Sequence, residues 1–114
     1  MPGEAVPDAL FRTLKALADP TRMRILRYLE EAQDTPSGLA KKLRLRAPTV
    51  IHHLNILRLA GLVYITVENK DKRYAARLGR VDDMYSQLRR YLGKRSAKGL
   101  PSELQHTAQP IRVA

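Results

Sequence analysis

The stretch Ala47-Pro-Thr-Val-Ile-His-His-Leu-Asn-Ile-Leu-Arg-Leu-Ala-Gly-Leu-Val-Tyr-Ile-Thr-Val-Glu68 changes its hydrophobic period midway. From Ala47 to Ala60, Val50, Leu54 and Leu57 recur at spacings of three and four, which predicts one buried stripe of a helix, with His53 on the same side. Gly61 follows, a residue that enters the left-handed conformation closing a helix without a Cβ penalty. From Leu62 to Glu68 the period is two, with Val63, Ile65 and Val67 set against Tyr64, Thr66 and Glu68. A second alternating run, Arg73 to Leu78, sets Tyr74, Ala76 and Leu78 against Arg73, Ala75 and Arg77. The polar Asn69-Lys70-Asp71-Lys72 between the runs predicts a hairpin with a four-residue tip.

Upstream, two cap-and-proline pairs punctuate the chain. Asp19-Pro20 ends a first helix that starts at Asp8 and carries Leu10, Leu14 and Leu17 with Phe11 beside them. The same pair opens a second helix from Pro20 to Glu31, because the carboxylate accepts from free first-turn amides and proline has no amide to lose. Thr35-Pro36 repeats the device for a short third helix with Leu39, Ala40 and Leu43. Downstream, a last helix is expected from Asp82 to about Lys94, with an apolar seam of Val81, Met84, Tyr85, Leu88, Tyr91 and Leu92. The resulting class is mainly α with a small β-hairpin, in the order α-α-α-α-β-β-α, which is that of a winged helix-turn-helix. Residues 1–7 read as a flexible lead-in, 8–98 as one domain for DNA binding and dimerisation, and 99–114 as a disordered tail.

Charge is distributed unevenly along the 114 residues, whose formal net charge is +10. Residues 1–40 carry five basic and six acidic side chains, whereas residues 41–98 carry 15 basic and four acidic, net +11. A field concentrated in this way attracts polyanions, nucleic acid first among them. No apolar run approaches the length of a membrane span and no secretory leader is recognisable, so the expectation is a cytoplasmic protein with no membrane partner. The absence of cysteine removes disulfides, thiolate metal sites and thiol redox sensing. No glycine-rich phosphate loop or nucleophile–base arrangement is visible, and Glu30-Glu31 and Asp82-Asp83 lie at helix ends, where capping and solvation account for them. Neither an enzyme nor a cofactor is expected.

Three linked motifs go further. Leu17-Ala-Asp-Pro-Thr-Arg-Met-Arg-Ile-Leu26, Thr49-Val-Ile-His-His-Leu54 and Leu57-Arg-Leu-Ala-Gly-Leu-Val63 closely resemble the ArsR/SmtB (arsenic-repressor-like) family of prokaryotic transcriptional regulators. The resemblance covers about Leu10 to Leu92. It implies a homodimer joined by the first and last helices, repressing a promoter by binding a near-palindromic operator in double-stranded DNA. The interface residues expected on this basis are Leu10, Leu14, Met84, Leu88 and Tyr91.

Where the family reads base edges, this sequence has Ala47, Pro48, Thr49, Ile51, His52 and Asn55, with Arg58 further along the same helix. Asn55 carries the donor and acceptor that fit an adenine edge, and Ile51 fits a thymine methyl. Lys41 and Lys42 on the third helix, and Lys70, Lys72 and Arg73 on the hairpin, suit phosphates or the minor groove. Two positions depart from the family pattern: Arg46 stands where a serine or threonine cap is usual, and Ile51 where a small polar residue is usual. The metal ligands of the founding members are also missing. Asp34 to Leu39 holds no cysteine, the last helix holds no histidine, and adjacent His52 and His53 project about 100° apart. No metal site is expected, and the effector is unknown. The competing reading is a basic winged-helix protein that binds RNA, or serves as a structural nucleic-acid or adaptor protein, without operator specificity.

Overall fold

The computed structural model describes residues 5–93. Its elements are α1 (Asp8–Leu17), α2 (Pro20–Glu31), α3 (Pro36–Leu43), α4 (Ala47–Leu59), β1 (Val63–Glu68), β2 (Asp71–Ala76) and α5 (Gly79–Leu92). This is the expected order of a winged helix-turn-helix. The expected lead-in lies partly, and the expected tail wholly, outside the described residues.

Both cap-and-proline pairs act as the sequence requires. The Asp19 carboxylate accepts from Arg22 N at 3.0 Å, and Thr35 Oγ1 accepts from Gly38 N at 3.1 Å, each with proline at the first helical position. α3 ends without a glycine because Arg44 itself takes the left-handed conformation, at φ 57°. Gly61, at φ +76°, turns the chain from α4 into β1.

The core is one apolar cluster. Ile25, Leu39, Val50, Leu54, Leu57 and Leu62 have no exposure at all, and Leu26, Leu29, Leu43, Val63 and Tyr74 surround them. Helices α2, α3 and α4 thus present their stripes to a common centre, and the base of the hairpin closes its open side.

Two boundaries and one burial pattern differ from the sequence reading. The hairpin tip is a two-residue turn, Asn69-Lys70, with φ 50° and 70°, so β2 begins at Asp71 opposite Glu68. Both turn residues are left-handed, as a tight hairpin whose turn twist matches that of its strands demands, and here no glycine supplies the conformation. α5 begins three residues early, at Gly79, and Asp82 lies within its first turn rather than capping it. The alternating pattern of β1 buries only its first residue: Val63 is 3% exposed, but Ile65 is 37% and Val67 69% exposed. A two-stranded ribbon that projects past the helices has nothing to cover its far end.

One short backbone pairing outside the ribbon fixes the hairpin. Asp34, in the α2–α3 loop, donates its N–H to Tyr74 O at 3.1 Å and accepts from Tyr74 N at 2.8 Å.

Candidate nucleic-acid interface

The rotation of α4 follows from its core. With Val50, Leu54 and Leu57 at 0% exposure, the advance of about 100° per residue turns Thr49, Ile51, His52 and Asn55 roughly 90–170° away from the buried direction. All four are exposed, Ile51 at 41%. They form one contiguous outward surface over the first two and a half turns. Arg58 is exposed too, but lies about 14 Å along the axis from Thr49, at the far end of the helix, beside Arg12, Arg80 and Gly61. Arg46 makes no side-chain capping bond, and Pro48 has no amide, so the N–H groups of Ala47 and Thr49 open the helix without a side-chain acceptor.

His53 does not join that surface. It is half-buried, and its Nδ1 lies 3.2 Å from Arg22 Nη1. Arg22 also donates from Nε to Ala16 O at 2.7 Å and from Nη2 to Lys15 O at 3.2 Å, so one guanidinium joins the end of α1, the start of α2 and the middle of α4. Burial pushes the His53 imidazole below its ordinary pKa. Asp19 pulls it up, while Arg22 and His52 push it further down. His53 is therefore neutral near pH 7 and accepts from Arg22. The Arg22 backbone N–H, above all, holds the Asp19 carboxyl below its usual range.

The basic side chains expected to flank α4 are not equivalent. Lys41 and Lys70 are exposed and have no acidic partner among the described residues. Lys42, by contrast, is engaged within the protomer, with Nζ 2.9 Å from Asp34 Oδ2 and 5.7 Å from the centre of the Tyr28 ring. The bond to Asp34 raises its pKa. Lys42, expected as a phosphate contact, also ties α3 to the Asp34 loop within the protomer. In the hairpin register Lys72 opposes Val67 and Arg73 opposes Thr66, so these neighbours project from opposite faces of the ribbon rather than from one. Arg73 Nε is 3.9 Å from Glu68 Oε2, and the Arg77 guanidinium stacks 5.0 Å over Tyr64.

Sequence reasoning missed Asp34 and Arg22, the residues that position these elements. The Asp34 carboxylate accepts from Thr35 N at 2.8 Å and pairs with Lys42, while its backbone pairs with Tyr74. The one sequence signal was Gly38, a glycine in an eight-residue helix, where an added Cβ would overlap the Asp34 carboxylate.

The seam expected at the ends of the chain is largely open. α5 packs on α1, yet none of its residues is fully buried. Leu14, Met84 and Leu88 are half-buried, and Phe11, Tyr85, Tyr91 and Leu92 are exposed by 54%, 57%, 37% and 72%. Leu10 departs from the expectation, being 1% exposed and enclosed within the protomer, with no surface to offer a partner. Among the described residues no three His, Asp, Glu or Cys side chains converge, and no helix is long and apolar enough to cross a membrane.

Comparison with known proteins gives a consistent picture. Residues 19–64 match the family described as bacterial regulatory protein, arsR family. Over 68 residues the chain is 48% identical to the HTH-type transcriptional regulator CmtR of Mycobacterium tuberculosis. That match takes in 60% of this chain and 58% of the relative, so it spans little more than half of the relative's length. Among solved structures, an ArsR-like transcriptional regulator from Rhodococcus sp. RHA1 superposes with a TM-score of 0.70 at 30% identity, over 75% of this chain and 81% of the other. The cadmium metal-sensor CMTR from Mycobacterium tuberculosis is 38% identical over 90% of this chain and 97% of its own, with a TM-score of 0.53.

Proposed function

Because this chain belongs to the arsR family of bacterial regulatory proteins, we propose that it is a sequence-specific double-stranded DNA-binding transcriptional regulator, a dimeric repressor that acts in the cytoplasm on a near-palindromic operator. The observation that carries this reading is the outward face of α4, where Thr49, Ile51, His52 and Asn55 stand together on a helix whose rotation is fixed by a fully buried stripe. A helix of this diameter fits the major groove, in which each base pair presents a distinct set of donors, acceptors and methyl groups.

On this reading the roles divide. Asn55 bonds an adenine edge, Ile51 packs on a thymine methyl, and Thr49 and His52 reach bases or phosphates. The open amides of Ala47 and Thr49 suit a phosphate at the positive end of the α4 dipole. Lys41, Lys42, Lys70, Lys72 and Arg73 add sequence-independent attraction, and Lys42 also holds the Asp34 loop. The second copy covers the seam of Leu14, Met84, Leu88 and Tyr91 together with Phe11, Tyr85 and Leu92, which would otherwise leave a long apolar face in water. With no cysteine in the chain, the signal that releases the operator is not a metal held by thiolates.

Selection of bound sequences from random duplex DNA tests the proposal, with a near-palindrome as the expected product. On that site, log affinity should fall with log salt at a slope of roughly −5 to −9, as six to ten neutralised phosphates require. A flat salt response, or equal affinity for double-stranded RNA, would refute it.

A further inference from the structure

A groove of about 630 Å³ runs between α1, the start of α2 and the second half of α4, lined by Arg12, Lys15, Ala16, Arg22, Ile56 and Leu59. Its floor is apolar: Ala16 is buried, Ile56 half-buried, and Leu59 67% exposed to solvent. No carboxylate lines it, and its walls carry three cations, of which Arg22 lies 4.0 Å from Asp19 Oδ1 and is already bonded to Ala16, Lys15 and His53. Neither Arg12 nor Lys15 has an acidic partner among the described residues, although Lys15 Nζ stands 5.5 Å over the Phe11 ring. Past Leu59 and Arg12 the groove opens toward Arg58 and Arg80, two more cations without acidic partners among the described residues.

We propose that this groove binds a small organic anion, a carboxylate or related acid with an apolar body. The chemistry selects that class from three sides. The volume lies within the range of small-molecule sites. An uncovered leucine and a half-covered isoleucine favour an apolar body in place of water. The cationic walls, with no carboxylate, histidine or cysteine among them, repel a metal ion and bind an acid through charge-assisted hydrogen bonds. The phosphate chain of DNA is a poorer occupant, because it offers nothing to the apolar floor, and the groove lies beyond the turns of α4 that carry Thr49 to Asn55. The fork of Arg22 that forms one wall also holds His53 of α4, so an anion drawing on its remaining donors bears on that helix through His53.

Calorimetric titration of the full chain with octanoate, without DNA, tests the site independently of the operator reading. One octanoate per chain is expected, with acetate and octylammonium each weaker by about tenfold or more, one for lack of an apolar body and the other for its charge. Arg12→Gln, Lys15→Gln and Leu59→Asn should each weaken octanoate by about three- to tenfold, and the double change Arg12→Glu with Lys15→Glu should reverse the preference toward octylammonium. Val67→Thr, an equally exposed apolar position on the hairpin, should leave binding unchanged. If the double charge reversal fails to fold, the single glutamine variants decide. The proposal is overturned if octanoate binds no better than acetate, or if the Arg12 and Lys15 variants bind like wild type. It is equally overturned if Leu59→Asn converts a dimer to monomers, which would assign the groove to a second copy. A drop of about one unit in the DNA salt slope in Arg12→Gln would likewise give the groove's charge to phosphate instead.

Discussion

Replacing Arg22 by methionine keeps an apolar stem of similar length and removes only the guanidinium. Three acceptors lose a donor at once: Ala16 O at 2.7 Å, Lys15 O at 3.2 Å and His53 Nδ1 at 3.2 Å. They are not equal. Lys15 O keeps a bond from Ala18 N and faces solvent, so its loss matters little. Ala16 is 1% exposed, and its carbonyl at the negative end of α1 would be left in an apolar setting, a penalty of about 1–3 kcal/mol. The His53 bond adds about 1 kcal/mol, because the Arg22 side chain is itself only 14% exposed. The total of about 3 kcal/mol corresponds to a fall in Tm of roughly 12–24 °C for a domain of this size. Urea and thermal unfolding followed by circular dichroism measure it. Arg22→Lys should recover less than half, since a single ammonium cannot reproduce a fork that reaches two helices. A loss below about 1 kcal/mol for the methionine variant would refute the idea that this guanidinium holds α1, α2 and α4 together.

Four further outcomes are expected. Asn55→Ala should cost about 1–3 kcal/mol on a selected operator and little on scrambled duplex, whereas Arg73→Ala should weaken both alike and reduce the salt slope by about one unit; paired titrations separate them, and equal losses for Asn55→Ala would show that α4 is presented differently. Leu88→Glu combined with Tyr91→Glu should give monomers in sedimentation at micromolar concentration, and persistence of a dimer would move the interface away from α5. Gly38→Ala should destabilise by about 1–3 kcal/mol, because the new Cβ meets the Asp34 carboxylate, which Thr35, Lys42 and the pairing with Tyr74 keep from moving; unchanged urea unfolding would mean that the Asp34 loop yields. His53 titrates below its ordinary value in the folded chain, so its contribution to stability is complete above about pH 6.5 and is lost as pH falls through the lower folded value, with Asp19 acting in the same direction at more acid pH. Urea unfolding at descending pH should therefore show falling stability with a shallower slope in His53→Gln, and stability that rises on acidification would contradict this.

The helical part of the fold was legible because its signals are local. Asp19-Pro20 and Thr35-Pro36 each place an acceptor and a missing amide where a helix must begin, and the stripe Val50, Leu54 and Leu57 fixes which way α4 faces. Where a glycine normally marks a left-handed turn and none was present, the signal was silent: Arg44 ends α3 in that conformation, and Asn69-Lys70 adopt it in a two-residue tip that was read as four. The start of the last helix was also misplaced, because α5 opens at Gly79, three residues before Asp82, with no side-chain cap to mark it. Periodicity put Ile65 and Val67 on the same face as Val63, correctly, but could not show that the ribbon outruns the core. The engagement of Lys42 and the reach of Arg22 join positions made adjacent only by the fold, and a basic residue in a sequence does not announce its partner.

The pairing of Asp34 with Tyr74 makes the hairpin a cantilever. Two backbone bonds clamp it at Tyr74, and the ribbon beyond that point overhangs by about 13 Å to its turn. A beam clamped at its root is displaced most at its free end, so the tip bearing Lys70 can follow an uneven surface while the clamped residue stays in place against the helices. The clamp at Tyr74 is made of peptide groups, and the Thr66 hydroxyl adds one side-chain bond to Gln33 Oε1 at 2.7 Å. Substitutions at Val67, Glu68 or Lys70 therefore change what the tip carries without changing where it is aimed. Aim and load are encoded in separate parts of the ribbon, and the tip is free to diverge in charge while the geometry of the root stays constant.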